Sequence, residues 1–354
     1  MPTIRPESLH EFTVRIFDAV GVPVEEAKVV AEGLVGANLR GHDSHGVMRV
    51  PQYVGFVQEG IYKPGVPLKI ESEGPALIVA DGQWGFGQVQ AHRLLDHLIP
   101  KAQAMGIAAG AAKDCGHIGR LGEYAERAAA LDLVLLATVN NNGAGQRVSP
   151  PGGLEPRLGT NPLCAAVPTE DGPVVLDFGT SVAAEGKVRV YHINKQPVPE
   201  GWLLDHEGKP TTDPSVLYTE PSGSILPMGG TQAYKGFGLA LVLDMLAAGF
   251  SGGRACHEGA LPARGNNLLF ILLDPARFAG RDAMLRESTC VSRFVRNTPT
   301  AEGVDSITLP GDPERRVMET RTREGIALSD GHWSKLVELA EALGVTVPSL
   351  EIDG

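Results

Sequence analysis

Six short apolar runs punctuate the middle of the chain: ALIVA at 76–80, GIAAGAA at 106–112, LVLLATV at 133–139, LCAAVP at 163–168, VVLDF at 174–178 and LLFILL at 268–273. Runs of this length without polar alternation are the pattern of strands buried on both faces, which demands helices on either side of a sheet. Helical spacing offers them near 88–104, 121–131 and 236–248, with Pro100 expected to break the first. The stretch GFGLALVLDMLAAGF at 236–250 is apolar nearly all round, as a core helix would be. The texture is that of an α/β protein.

Both ends read as helical. Ser8 followed by Glu11 resembles a capping box, and Leu9, Phe12, Ile16, Phe17 and Val20 then recur at helical spacing until Gly21. Pro23 opens a second helix, with Ala27, Val30, Ala31, Leu34 and Val35 on its apolar face, ending around 39–41. A third is expected over 51–60. Near the other end Ser329 caps a helix carrying Trp333, Leu336, Val337, Ala340 and Leu343. The Pro/Gly-rich stretches KPGVP at 63–67 and TLPGDPERR at 308–316 bound the middle. The expected division is a helical domain over 1–70, with 317–354 packing back on it, and an α/β domain over 71–316.

Charge and cysteine usage narrow the partners. A formal net charge of −11 offers no clustered Lys and Arg for a phosphate backbone, so neither nucleic acid nor an anionic membrane is an expected partner. Cys115, Cys164, Cys256 and Cys290 form no CxxC pair, and the N-terminus shows no basic region followed by an apolar run. No uninterrupted apolar stretch approaches the roughly 20 residues of a membrane span. A cytoplasmic protein with free thiols is expected.

The familiar nucleotide motifs are near misses. Gly85-Phe86-Gly87 and Gly236-Phe237-Gly238 begin like dinucleotide fingerprints, but Gln90 and Leu241 stand where the third glycine belongs. Gly179 to Lys187 resembles a phosphate loop with too wide a spacing, and Val188 replaces its Ser or Thr. Instead, glycine-flanked polar clusters recur at strand and helix ends: GHDSHGVMR at 41, CGHIGRLGEY at 115, NNNGAG at 140, LGTNP at 158, LDFGTS at 176, AYKGFG at 233 and TLPGDPERR at 308. Most such loops in an α/β protein are plain turns. Several together suit a polyanionic cofactor gripped by backbone N–H groups.

The first cluster carries the chemistry. A histidine gives and takes a proton near neutral pH, Ser44 can orient it, and the Arg49 guanidinium matches a carboxylate in a bidentate way. This is the pairing that reduction of a 2-oxo acid requires: an acid for the forming alkoxide and a fork for the carboxylate. A metal held by His42 and His45 would need further ligands that the sequence does not provide, and none is expected.

At this point the chain resembles the malate/L-lactate dehydrogenase family, typified by sulfolactate dehydrogenase, ureidoglycolate dehydrogenase, 2,3-diketogulonate reductase and piperideine-carboxylate reductase. The likeness is carried by ANLRGHDSHGVMRVPQYV from Ala37, DCGHIGRLGEYAERA from Asp114, PRLGTNPLCAAVPT from Pro156, VLDFGTSVAAEGKV from Val175, PEGWLLDHEGKPTTDP from Pro199 and YKGFGLALVLDMLAAGFSG from Tyr234. It implies a non-Rossmann mixed sheet flanked by helices, NAD or NADP with a slight preference for NAD, and a homodimer or dimer-based oligomer. The implied activity interconverts a 2-oxo and a 2-hydroxy acid of the malate or lactate type. The alternative is NADPH-dependent reduction of cyclic or N-alkyl imino acids.

By position, the resemblance makes His45 the proton donor, with Ser44 beside it, and Arg49 and Tyr53 substrate contacts. His117 becomes an alternative acid/base or a cofactor contact. The stretches expected to hold the cofactor are His117, Ile118, Gly119, Arg120 and Leu121; Thr160; Asp177, Phe178 and Gly179; Lys235 and Gly236; and Leu309, Pro310, Gly311, Asp312 and Arg315. Lys187 stands where the imine reductases carry an aspartate. Having only donors when protonated, it is expected in the catalytic site as a partner for a second carboxylate or an oxo group, which favours the 2-oxo-acid branch.

Overall fold

The computed structural model of the chain describes residues 1–257 and 263–350. A short strand β1 (Thr3–Ile4) leads into α1 (Pro6–Ala19), α2 (Val24–Leu39) and, after two single 3₁₀ turns, α3 (Val50–Gln58). Then come β2 (Lys69–Glu73), β3 (Leu77–Asp81), α4 (Gly87–Met105), β4 (Ile107–Gly116), α5 (Gly122–Ala129), β5 (Val134–Asn140), β6 (Leu163–Val167) and β7 (Val174–Phe178). After α6 (Glu185–Ile193), the strands β8 (Leu203–Leu204), β9 (Pro210–Thr211) and β10 (Ser224–Ile225) form a small separate sheet. The chain closes with α7 (Ala233–Ser251), β11 (Gly265–Leu273), α8 (Arg281–Arg296), α9 (Asp312–Glu324), β12 (Ile326–Ala327) and α10 (Asp330–Ala342).

The main sheet runs β2-β3-β4-β11-β5-β6-β7. Only β3 and β4 lie parallel; the other neighbours are antiparallel, so the sheet is mixed. All six apolar runs became its strands. The seventh, KIESE in β2, is a largely exposed edge strand with little apolar content, so only its pairing with β3 reveals it.

Alternation sorts the sheet's side chains onto two faces. Leu135, Ala137 and Val139 of β5 and Leu268, Phe270 and Leu272 of β11 join Leu94, Leu95 and Leu98 of α4 and Tyr124 and Ala128 of α5 in one core. The opposite face carries α7, which packs along β5, β11 and β4. A second core joins α1, α2 and α3 to Ile326, Leu328, Leu336 and Ala340 from the far end of the chain. Thr3 and Ile4 of β1 pair with Ala327 and Ile326 of β12, tying the two termini together.

Three local expectations change. First, α1 begins at Pro6, before Ser8, and its N-cap Arg5 makes no side-chain cap bond; a proline in the first turn arrives with helical φ already set. Second, Pro100 does not break α4. It lies on the exposed side, where water can serve the carbonyl that loses its N–H partner. Third, α7 is only half buried: Leu243, Asp244, Ala247 and Ala248 face the sheet while Val242, Met245 and Phe250 are exposed. By length and composition alone, residues 230–251 would suffice to cross a membrane, with a mean hydropathy of 1.3. They are instead engaged with the sheet.

Where β11 meets the end of β4 there is no room for a side chain at Gly265. A Cβ there would sit 1.9 Å from the Cys115 carbonyl oxygen. Gly265→Ala is therefore expected to push the two strands apart and lower the free energy of unfolding by about 1–3 kcal/mol, measured by denaturant titration.

Candidate active site

The stretch that follows α2 folds as two 3₁₀ turns, Asp43–His45 and Val47–Arg49, and a single side chain organises them. Asn38 donates from Nδ2 to Asp43 Oδ1 at 2.6 Å and accepts at Oδ1 from the Val47 N–H at 2.8 Å. Gly46 closes so tightly over it that a Cβ would lie 2.2 Å from Asn38 Oδ1. From α9, Arg321 grips Asp43 at 2.7 and 3.1 Å and also donates to the Asn38 carbonyl. His42 turns the same way, its Nε2 lying 3.2 Å from Glu314 Oε1. The polar residues of 41–49 thus divide: Asp43 and His42 anchor to α9, and Ser44, His45 and Arg49 turn inward.

Ser44, His45 and Arg49 line a cavity of about 250 Å³ together with His117, which follows β4. Ser44 Oγ is 3.1 Å from His45 Nδ1. Arg49 is fixed by two bonds, Nε to the Ser44 carbonyl at 2.7 Å and Nη1 to Gln52 Oε1 at 2.9 Å, and its other terminal nitrogen has no partner among the described residues. The His45 and His117 rings stack with centroids 5.5 Å apart and planes 16° apart. His45 and Arg49 converge as expected of a proton donor and a carboxylate fork.

Tyr53 departs from its expected role. Instead of reaching a substrate it is wholly buried, and its hydroxyl lies 2.6 Å from His117 Nδ1 while accepting from Gln88 Nε2 at 3.4 Å. Burial pushes the phenol up to about 12, so it keeps its proton and fixes the His117 ring in place through Nδ1. Tyr62 completes the mount by accepting from the His117 backbone N–H at 2.8 Å.

Both imidazoles are held neutral. His45 is lowered to about 3, first by burial and then by the positive charge of Arg49; what exposure it has is to the cavity it lines. His117 is held well below the usual imidazole range by the same two causes. Lys187 does not join them. On α6 the positions 185, 186 and 189 line the cavity, and one residue turns a helix by about 100°, so Lys187 points out to solvent. A Cβ at Gly186 would lie 2.8 Å from Ser44 Cβ, so that turn of α6 presses directly on the catalytic stretch. This corrects the expectation of a catalytic lysine.

Most of the other expected positions gather at a second locus. Asp177 on β7 accepts from the Gly122 N–H at the start of α5 at 2.7 Å. Its carboxyl is raised by burial, against the pull of Arg120 and His42. Arg120 is buried against Glu126 at 2.6 Å, with Nε lacking a partner. The Pro310 carbonyl accepts from the Val175 N–H at 3.1 Å, and Thr180 donates its N–H to the Thr160 carbonyl at 2.9 Å, which joins the segments at 160, 175–180 and 310. Asp312 and Arg315 spend their side chains on each other, on Arg296 and on the Pro173 carbonyl. Lys235 is exposed at the first turn of α7, its Nζ 6.0 Å from the Tyr234 ring centre, and Gly236 packs under Met228. Thr160 reaches both loci, since it also lines the cavity.

Sequence reasoning missed Gln52, Asn141, Arg147, Glu185, Arg189 and Arg264, all of which line the cavity. Gln52, Asn141 and Glu185 lie inside the stretches ANLRGHDSHGVMRVPQYV, NNNGAG and VLDFGTSVAAEGKV, whereas Arg147, Arg189 and Arg264 fall outside every quoted motif. Gln52, on the helix after Arg49, was within reach of an i to i+3 argument.

A family model described as malate/L-lactate dehydrogenase matches residues 4–337. Hydroxycarboxylate dehydrogenase B of Escherichia coli (strain K12) is 35% identical over 350 residues, covering 98% of this chain and 95% of that protein. Sulfolactate dehydrogenase from Methanocaldococcus jannaschii superimposes with a TM-score of 0.87 at 33% identity, covering 98% of each chain. A delta1-piperideine-2-carboxylate reductase from Pseudomonas syringae does so with a TM-score of 0.83 at 30% identity, covering 96% of this chain and all of that one (100%).

Two imidazoles kept neutral by the fold make stability depend on pH. Between an unfolded value near 6.5 and the folded value of about 3 for His45, the unfolded chain binds more protons than the folded one. The free energy of unfolding should therefore fall as pH is lowered through that window. In urea titrations at pH 7 and pH 5, His45→Asn should lose less stability between the two than the parent chain does.

Proposed function

As the chain belongs to the malate/L-lactate dehydrogenase family, whose named members act on hydroxy acids, we propose that it interconverts a 2-oxo acid and a 2-hydroxy acid with NAD or NADP. The observation that carries this reading is the convergence of neutral His45 and the half-satisfied Arg49 on one cavity. Arg49 holds the substrate's C1 carboxylate with its open nitrogen, in a charge-assisted bond. In reduction His45, protonated once the bound carboxylate offsets the charge of Arg49, gives its extra proton to the 2-oxo oxygen and is left neutral, and in the reverse direction the neutral ring takes a proton from the hydroxyl. Ser44 suits both directions, because a hydroxyl both donates to and accepts from Nδ1. His117, held by the Tyr53 hydroxyl at Nδ1, lines the same cavity beside it.

A bound nicotinamide cofactor supplies the hydride. The donor set at the second locus suits such a group. Among the described residues Arg120 keeps a buried Nε without a partner there, and Gly311, at φ +93° and with its Cβ position 3.3 Å from the Val175 backbone nitrogen, caps the start of α9 closely. A second reading, reduction of a cyclic or N-alkyl imino acid, draws on the likeness to the piperideine-carboxylate reductase. The two separate by whether loss of nicotinamide absorbance with pyruvate requires added methylamine.

The same proposal includes a homodimer. The sheet face that carries α7 leaves Leu77, Ile107, Leu136 and Leu176 exposed, and α7 adds Val242, Met245 and Phe250. An apolar area of this extent on one face marks an interaction surface. Met245→Glu is expected to shift the protein toward monomer in sedimentation.

A panel of 2-oxo acids assayed with NADH and with NADPH tests the activity; a panel in which no 2-oxo acid is reduced rules it out. In the active pair, His45→Ala should lower kcat by about 10² or more, the scale of general acid–base catalysis, while cofactor binding followed by fluorescence changes little.

A further inference from the structure

Resting on the 2-oxo-acid reading above, we propose that the cavity selects a substrate with two anionic groups and that Arg147 holds the second. Four arginines, Arg49, Arg147, Arg189 and Arg264, line this one cavity, and among the described residues that line it Glu185 is the only acid. That carboxylate is already consumed. Its two oxygens accept from Arg189 Nη2 at 2.9 and 3.0 Å, and Oε1 also accepts from the Tyr218 hydroxyl at 3.0 Å. The two imidazoles, being neutral, neither add to the positive charge nor offset it. Among the described residues three arginines therefore line about 250 Å³ without a counter-charge, and a ligand with one carboxylate compensates only one of them.

The three differ in how they are held. Arg49 is braced by Ser44 and Gln52 beside His45, so it belongs to the carboxylate next to the reacting carbon. Arg147 follows β5 and is half-buried; Nη1 donates to the Leu217 carbonyl at 3.1 Å, while Nε and Nη2 have no partner among the described residues. One bond thus aims its fork and leaves two nitrogens open, where Arg49 has two bonds and one open nitrogen. Arg264 is exposed and its side chain has no partner among the described residues, so it attracts anions to the mouth without fixing their register. Of the positions expected to hold the cofactor, His117 and Thr160 line this cavity and none is one of the four arginines, so Arg147 is assigned to the substrate.

The test compares kcat/KM for oxaloacetate and 2-oxobutanoate, which differ by a carboxylate in place of a methyl group. 2-Oxoglutarate and 2-oxopentanoate form a second such pair. The dicarboxylate of each pair is expected to be preferred by about 10²-fold, the worth of a charge-assisted bond pair in a confined site. Arg147→Met should shrink that preference at least about tenfold without raising the KM for the cofactor, and Arg147→Lys should restore part of it. Equal use of both members of each pair overturns the inference, as does an unchanged preference in Arg147→Met or a raised cofactor KM. All three leave 2-oxo-acid reduction standing. Turnover of no 2-oxo acid overturns the activity itself. Calorimetric titration with malate and with 2-hydroxybutanoate then judges the charge argument separately: it stands if malate alone binds, and falls if the two bind alike or neither binds.

Discussion

The side chain of Asn38 is the joint on which the site depends. Its amide spans the two turns after α2, with Asp43 on one side and the Val47 N–H on the other, and Gly46 has to be glycine because the amide occupies the space of a Cβ. Arg321 locks Asp43 from α9, so the catalytic stretch is clamped between the first and last thirds of the chain. His45 and Arg49 point into one cavity because Asp43 and His42 are pulled the other way. A buried, fully bonded polar joint of this kind fixes direction as well as stability.

A second polar network opens the sheet beneath the cavity. Asn140 at the end of β5 donates to Asp244 on α7 at 3.1 Å and accepts from Asn267 at 2.8 Å, and Asn266 donates to the Asn140 carbonyl at 3.0 Å. The register of β11 against β4 shifts between Asn266 and Leu268 at this point. Side-chain amides replace ladder bonds there, which lets the strands part without leaving buried backbone unpaired. The chain turns out of the sheet at this opening to bring His117 from β4, Asn141 from β5 and Gly265 from β11 to one place.

Electrostatically the site keeps its proton carriers neutral and its fixed charges positive. Burial and Arg49 act in the same direction on His45, so an anion bound at Arg49 removes part of what holds the ring unprotonated. Charge at Arg49 and the proton affinity of His45 are thereby linked. The tyrosine behind His117 has the opposite character, a phenol kept neutral by its raised pKa.

Much was legible in the sequence. The six apolar runs marked the strands of the central sheet, because runs without polar alternation pack against helices, although α7 leaves Leu77, Ile107, Leu136 and Leu176 on its face exposed, and GHDSHGVMR with its glycines and mixed donors marked the polar turn that lines the cavity. The family resemblance lay in motifs spread from Ala37 to Gly252. What only the tertiary structure decided is which side chains share a space. Tyr53 was visible as a residue near the site, but its burial against His117 depends on how α3 meets the end of β4. Lys187 and Arg189 are two residues apart, and the phase of α6 sends one to solvent and the other to the cavity. Arg147 and Arg264 lie more than a hundred positions apart, and long-range strand pairing alone brings them together. Local pattern records what each segment can bury; direction and company are set by packing between segments, to which no stretch of sequence is sensitive by itself.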